Sequence, residues 1–334
     1  MGVNLNKLVP GLCALMLCAA CANLSTPDAT GSPSPWILVD DFESDRPLYD
    51  WANIDVQNET NPWVPDPQVT RIRSDPKSGN RYMLRKPAAD GVIGNRKAIG
   101  FTPLPLPVKV GETYTFYTRV NVEYFPNNHS FGLSNVAASD IPDLGYDSFE
   151  PMIRITDKYE SDGYKNDGTL MVLVADKAYR KIVNPATGEA AKPLDPGRWY
   201  ELWYVVNNAA RQAGGQRYDL YVRGGEFEQQ QLVFEGAEFR MGREQPLMYF
   251  MAISNTGPQK APYGNGGVRY DDIYMAEGRT LSSPLSARII FPISKNSPEF
   301  QERYHCPCRH PRLPGGLLRC LQQSVPVYSS PRPS

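Results

Sequence analysis

The side chains that could do chemistry fall into a few groups. Asn127-Asn128-His129 holds the one histidine between Trp36 and Leu285, and it follows a segment whose alternate residues are Tyr117, Arg119 and Asn121. Arg154 and the run Tyr179-Arg180-Lys181 add guanidinium, phenol and ammonium groups further on. An imidazole or phenol can take or give a proton, while cationic and amide groups beside it can neutralise an anion. Carboxylates cluster near both ends of this region, as Asp40, Asp41 and Glu43 and as Asp271 and Asp272. Cys306-Pro307-Cys308 with His305 and His310 offers thiolate and imidazole, the ligands zinc prefers, but at a spacing that matches no standard zinc pattern. Gly-x-Gly-x-x-Gly, a Walker loop, Gly-x-Ser-x-Gly and His-Glu-x-x-His are absent, which argues against nucleotide and zinc-protease chemistry. Gly264-Asn265-Gly266-Gly267 precedes no helix and reads as a turn into a strand rather than a phosphate loop.

These groups must be positioned by strands. The dominant period between Trp36 and Leu285 is two: in Glu112–Phe125, Tyr114, Phe116, Thr118, Val120 and Val122 share one face, and Thr115, Tyr117, Arg119, Asn121 and Glu123 share the other. Similar segments recur at Trp36–Phe42, Val69–Arg73, Tyr82–Arg85, Ala98–Phe101, Met152–Thr156, Leu170–Ala175, Trp199–Val206, Tyr218–Val222, Leu232–Phe234, Leu247–Ser254 and Val268–Met275, with turn residues between them. About a dozen strands without a 3.6-residue pattern predict an all-β domain of two antiparallel sheets. The 334 residues carry 35 lysines and arginines against 36 aspartates and glutamates, a net charge of −1 that argues against a nucleic-acid binder.

The ends differ from the middle. Residues 1–21 hold the single charge Lys7, a short apolar run and then Cys18-Ala19-Ala20-Cys21, the layout of a secretory signal peptide. Its apolar run is about half of what a bilayer-spanning helix needs. Small residues directly before Cys21 resemble the bacterial lipoprotein processing site, where that cysteine becomes the lipidated first residue. In place of the usual leucine three residues earlier stands Cys18, and an ordinary cleaved signal is the alternative. Residues 22–35 read as a flexible tether, and 286–334 as a disordered or aberrant tail. All six cysteines lie at or before Cys21 or at or after Cys306, so the domain at 36–285 stands on its core without disulfides.

The opening Ile37-Leu38-Val39-Asp40-Asp41-Phe42-Glu43, with Trp51 downstream, and the closing Gly267-Val268-Arg269-Tyr270-Asp271-Asp272-Ile273-Tyr274-Met275 resemble the first and last strands of concanavalin A-like jelly rolls. Gly111–Tyr124, Ser130-Phe131-Gly132-Leu133 and Arg198-Trp199-Tyr200-Glu201-Leu202 fit the same layout. The likeness is one of pattern, and that superfamily holds lectins, glucanases, polysaccharide lyases and carbohydrate-binding modules. It implies a jelly-roll sandwich, a polysaccharide ligand, and a structural calcium where first and last strands meet, for which Asp41, Glu43 and Asp271 stand in comparable places. The same carboxylates read equally as solvated strand ends. The glucanase branch needs Glu-x-Asp-x-x-Glu, and Glu123, Asp147 and Glu150 do not repeat it. The binding branch would use Tyr117, Tyr221 and Trp63 as stacking faces, with Arg119 and Asn121 for polar contact. The lyase branch would use His129 or a tyrosine as base, with Arg119, Asn128 and Arg154 around an acidic sugar, although the Arg-x-Glu-x-Arg, Gln-Ile-His and Tyr-x-Lys-Ala-Gly runs of alginate-lyase jelly rolls are missing. The expectation is thus an exported, lipid-anchored, monomeric polysaccharide-binding protein, with a lyase or a structural envelope lipoprotein as alternatives. Its contact with the membrane would be through the lipid anchor alone.

Overall fold

The computed structural model describes residues 34–159, 165–256 and 264–287. The signal segment with Cys21, the tether up to residue 33 and the cysteine-containing tail from 288 on lie outside the described residues.

Among the described residues, fifteen strands build two antiparallel sheets. They are β1 Ile37–Asp40, β2 Ala52–Asn61, β3 Val69–Ser74, β4 Arg81–Lys86, β5 Ile93–Val108, β6 Thr113–Val122, β7 Asn128–Ser134, β8 Phe149–Thr156, β9 Leu170–Leu173, β10 Tyr179–Lys181, β11 Trp199–Asn207, β12 Arg217–Gly224, β13 Phe227–Glu238, β14 Leu247–Ser254 and β15 Val268–Glu277. Sheet 1 runs β13-β12-β11-β6-β15-β4-β3, and β1 pairs with the far end of β15; sheet 2 runs β10-β9-β8-β7-β14-β5-β2. First and last strands therefore lie side by side in sheet 1, with Ile37 opposite Met275 and Leu38 opposite Tyr274. This is the jelly-roll β-sandwich that the strand pattern predicts.

Period-two alternation decides what each face does. From sheet 1, Phe116, Val120, Val122, Leu202, Tyr204, Leu220 and Val222 point between the sheets, and Phe131, Leu133, Ile153, Ile155 and Phe250 of sheet 2 meet them, all buried. Each large apolar side chain removed from water there contributes about 1.5–3 kcal/mol, which is how a domain without disulfides holds together. The face assignment read for β6 is the observed one: Phe116 and Val120 join this core, and Tyr117 joins a separate cluster on the outside of sheet 1.

Three strands, β2, β7 and the three-residue β10, lie outside the alternating segments, although Ser130–Leu133 of β7 fits the jelly-roll layout. β2 reads Ala-Asn-Ile-Asp-Val-Gln-Asn-Glu-Thr-Asn, too polar for a core strand, and it lies at the edge of sheet 2 with Gln57 in the left-handed region at φ 54°. β7 begins at Asn128, so His129 stands within a strand rather than in the loop that its polar neighbours suggest.

Both outer faces are partly covered. On sheet 1, Trp36, Tyr117, Trp203, Tyr221 and Tyr274 pack beneath Leu281 and Leu285, and Trp203 Nε1 donates to the Ser282 carbonyl at 3.1 Å. On sheet 2, Ile99, Phe101, Met152, Leu173, Met251 and Ile253 are covered by Val136 and Ile141, the latter opening the short helix α1, Ile141–Leu144. A 3₁₀ turn, Gly145–Ser148, continues from that helix and delivers Tyr146 and Asp147 to the uncovered part of the same face.

Candidate functional site

The residues singled out from the sequence separate into three places. Tyr117, Arg119 and Asn121 lie on the outside of sheet 1. Tyr117 is fully buried there, its hydroxyl donating to Glu201 Oε2 at 2.9 Å and its ring edge-on to Trp203 at 5.1 Å. Burial and the Glu201 carboxylate push that phenol up, so it stays protonated. Asn121 is 1% exposed and accepts from Arg269 Nη1 at 3.2 Å. Arg119 pairs with Asp272 at 2.9 Å and Asp271 at 3.3 Å, and its guanidinium lies 4.7 Å from the Trp199 ring. Tyr221 is buried at the edge of the same cluster with the Arg279 guanidinium on its hydroxyl. Of the five expected sugar contacts only Trp63, 68% exposed in the loop after β2, offers an open ring.

His129 takes a second place, between the sheets. Neighbours on β7 alternate, so Asn128 faces out while His129 faces in and is fully buried. Its Nε2 donates to the Gly266 carbonyl at 3.2 Å, which leaves Nδ1 as the bare acceptor nitrogen. Burial, helped by the nearby Arg85, pushes the pKa down to about 3, and the imidazole is neutral at physiological pH. Gly266 is required here: a Cβ would stand 1.9 Å from the Tyr124 carbonyl oxygen. His129 thus ties the strand into β15 to β7 and does not reach the face that carries Arg154.

Among the carboxylates considered for calcium, Asp271 is fully buried. It accepts from Asn80 Nδ2 at 2.8 Å, from Arg119 and from the Asp272 amide at 2.9 Å. Glu43 accepts the Arg81 amide at 2.6 Å, and Asp41 accepts the Glu43 amide at 3.2 Å. Calcium takes six to eight oxygens, and here the charge opposite Asp271 is already supplied by a guanidinium. Among the described residues no group of three or more acidic, histidine or cysteine side chains is placed to hold a metal. The expected set, already bonded to protein groups, does not fit the ion.

The third place is the outer face of sheet 2, where polar groups converge. Register sets Ile253, Ser130, Arg154, Met171 and Lys181 in one row across β14, β7, β8, β9 and β10. The neighbouring outward positions at one end are Asn128 and Thr156, with Lys97 on β5. The opposite end is the apolar half beneath α1. Arg154, 9% exposed, donates through Nη2 to Asn128 Oδ1 at 3.3 Å and lies 4.6 Å from the centroid of the Tyr179 ring. Tyr179 in turn accepts from Arg240 Nη1 at 3.4 Å, and Arg240 Nε donates to Asp147 at 3.0 Å. Glu150, fully buried, fixes the connection that carries Arg240: it accepts the amides of Met241, Gly242 and Arg243 and pairs with the Arg243 guanidinium at 3.1 Å.

Tyr146 and Lys158 complete this face. The Tyr146 phenol is pushed up to about 12 by burial, against the opposing effects of Arg154 and a hydrogen bond with Asn255, so it holds its proton. Burial lowers the Lys158 ammonium to about 8, only partly opposed by Asp157; its Nζ donates to the Thr256 carbonyl at 3.3 Å. Gly145 abuts Lys97: a Cβ on that glycine would come within 3.0 Å of Lys97 Nζ. Of the expected residues, then, the fold unites Asn128 and Arg154 and joins to them Tyr146, Tyr179, Lys97, Lys158 and Arg240. Lys97 was accessible to sequence reasoning, since it keeps the period of Ile99 and Phe101. Tyr146 and Arg240 come from turns and carry no periodic signal.

Arranged this way, the face can hold a polyanion with sugar-like breadth: guanidinium and ammonium groups meet carboxylates, amides meet hydroxyls, and tyrosine rings stack. No family model matches the chain, and no curated protein matches it. Among solved structures it resembles, at a distance, the PL-14 alginate lyase from Aplysia kurodai, with 13% identity over 62% of this chain and 87% of the lyase at a TM-score of 0.40. It resembles equally the Emp47p carbohydrate recognition domain, with 11% identity over 76% of this chain and 100% of that domain at a TM-score of 0.40. A GH131 beta-glucanase catalytic domain from Podospora anserina matches at 9% identity over 73% of this chain and 98% of that one, with a TM-score of 0.40. The fold itself rests on the strand order and pairing described above.

Proposed function

We propose that this protein binds an acidic polysaccharide on the outer face of sheet 2, as an exported protein tethered through a lipidated Cys21. The observation that carries the reading is the Arg154 guanidinium, held by Asn128 and the Tyr179 ring at the centre of that face. Lys97 stands on the same face three strands away on β5, and Lys181, paired with Asp167 at 2.7 Å, lies in the row of Arg154. A guanidinium offers two parallel donors to a carboxylate, so the ligand is a polymer of uronate or similarly charged sugars rather than a neutral glucan. Export and anchoring are supported by the signal-like residues 1–21. Electrophoresis of the full chain through gels containing alginate, polygalacturonate, hyaluronan or a neutral glucan tests the proposal. Retardation by at least one acidic polymer and not by the neutral one supports it; equal mobility in all gels overturns it.

One observation favours a second reading, lyase activity at the same site. Lys158 is a half-buried amine lowered to about 8, and Tyr146 is a phenol that keeps its proton. A base that loses its proton near physiological pH, an acid that does not, and an Arg154 able to neutralise a uronate carboxylate are what β-elimination needs. The base would take the proton beside the carboxylate, the electron pair would form the new double bond, and the glycosidic oxygen would leave with the proton from Tyr146. A rise in ultraviolet absorbance from unsaturated uronate ends would select this reading.

A further inference from the structure

The opposite side of the sandwich carries a second basic surface that the site on sheet 2 does not use. Among the described residues, Trp36, Leu281 and Leu285 cover the part of sheet 1 around Trp203 and Tyr274. On the remainder, register places Arg71, Leu84, Arg269, Asn121 and Trp199 in one row across β3, β4, β15, β6 and β11, with Arg73 opposite Tyr82 alongside. Neighbouring strands lie about 4.8 Å apart, so this row spans about 19 Å. Arg71 and Arg73 are exposed, and Tyr82, Trp199 and Arg269 are half-buried. Tyr82 and Trp199 meet edge to face at 5.7 Å; the Arg269 guanidinium sits 5.7 Å from the Tyr82 ring, and that of Arg119 sits 4.7 Å from Trp199.

The charges on this surface fall into two kinds. Arg119 is neutralised by Asp271 and Asp272 and serves to hold Trp199. Arg71, Arg73 and Arg269 have no ion pair among the described residues. Three guanidinium groups of one sign beside two aromatic rings repel one another and gain by meeting a polyanion that also has stacking faces. From this charge complementarity we infer that the outer face of sheet 1 is a second binding surface for an acidic polysaccharide chain, which makes the protein bivalent. The inference takes its ligand class from the reading of sheet 2, but its residues are separate. A chain held at both faces, or two chains bridged by one molecule, gains avidity without any new contact.

The experiment is a calorimetric titration of the full chain with acidic hexasaccharides of alginate, polygalacturonate and hyaluronan. The variants are Arg71→Ser/Arg73→Ser/Arg269→Ser and, separately, Arg154→Met. The expected result is two equivalents bound by the unaltered protein with one of these probes and one equivalent by each variant, together with loss of polymer cross-linking, read as turbidity with the long chain. Arg71 and Arg73 are exposed on an edge strand, so Arg71→Ser/Arg73→Ser serves where the Arg269 change disturbs folding; a tenfold or greater weakening of one of the two equivalents is then expected. A single equivalent in the unaltered protein, abolished by Arg154→Met and untouched by the triple change, overturns the second surface and leaves sheet 2 standing. A loss in the triple variant with no effect of Arg154→Met would do the reverse. Binding to phosphatidylglycerol vesicles that the triple variant loses, with no effect on the oligosaccharides, assigns the patch to anionic lipid and overturns the inference.

Discussion

Asp271 offers a direct test of the electrostatics on sheet 1. Its carboxyl is fully buried, next to Asp272, and both share Arg119. Burial, and after it the Asp272 charge, raise its pKa to about 7, against the lowering effect of Asn80 and Arg119. In the unfolded chain an aspartate titrates near 4. Between about pH 4 and pH 7 the native state therefore binds a proton that the unfolded state has released. Stability from this group falls as pH rises through that window and levels off above it. At about 1.4 kcal/mol per pH unit the full effect is on the order of a few kcal/mol. Asp271→Asn keeps the shape and an acceptor for Asn80 while removing the charge, so its stability relative to the unaltered protein is expected to rise from pH 4.5 to pH 7.5 by up to that amount. Urea unfolding of both proteins at pH 4.5, 6 and 7.5 measures it, and taking the difference cancels the groups that do not interact with Asp271. A difference that does not change with pH, or one that turns against the variant at pH 7.5, would show that the Asp271 carboxyl is not raised by its burial.

Other consequences follow from single contacts. Replacing Arg154 by Met should weaken acidic-polysaccharide binding about 10- to 100-fold, the range of a lost hydrogen bond to a charged group, with the melting curve retained; gel retardation measures both protein forms. Gly100→Ala would put a Cβ 2.1 Å from Arg85 Nη1, which is buried between the sheets and bonded to Asn53 and Thr70, so a loss of about 1–3 kcal/mol is expected in urea unfolding. His129 should show no imidazole titration in proton NMR between pH 5 and pH 8, since its pKa is held near 3; a midpoint near 6.5 would place it in solvent. A chelator should leave the melting curve unchanged, because Asp41, Glu43 and Asp271 are already bonded to protein groups; a drop would show that a cation is held after all.

The alternation of β6 and the apolar runs of β11 and β14 were legible because burial on one or both sides writes itself into residue type every second position. The terminal strands were legible as well, and they lie together in sheet 1. The site was legible only in part. Tyr117, Arg119 and Asn121 share a strand face as read, but which sheet that face belongs to depends on long-range pairing, and the answer separates them from Arg154. His129 was misleading because two asparagines before it suggest a loop, whereas Asn127 and Asn128 spend their amides and carbonyls within and beside the sheet. Lys158 and Tyr146 acquire their character from burial by elements distant in sequence, which no local pattern encodes. Asp271 and Arg119 show the same limit: an acidic strand end suggested a cation, and the fold supplied a guanidinium from the adjacent strand.

Hydrogen exchange of the full chain, read by mass spectrometry with and without saturating acidic polymer, locates the bound chain. Slowed exchange is expected in peptides covering β7, β8 and the segment 170–181, and loss of that protection in Arg154→Met. Protection that spares these strands while binding persists, or that survives the Arg154 change undiminished, would contradict binding on the outer face of sheet 2.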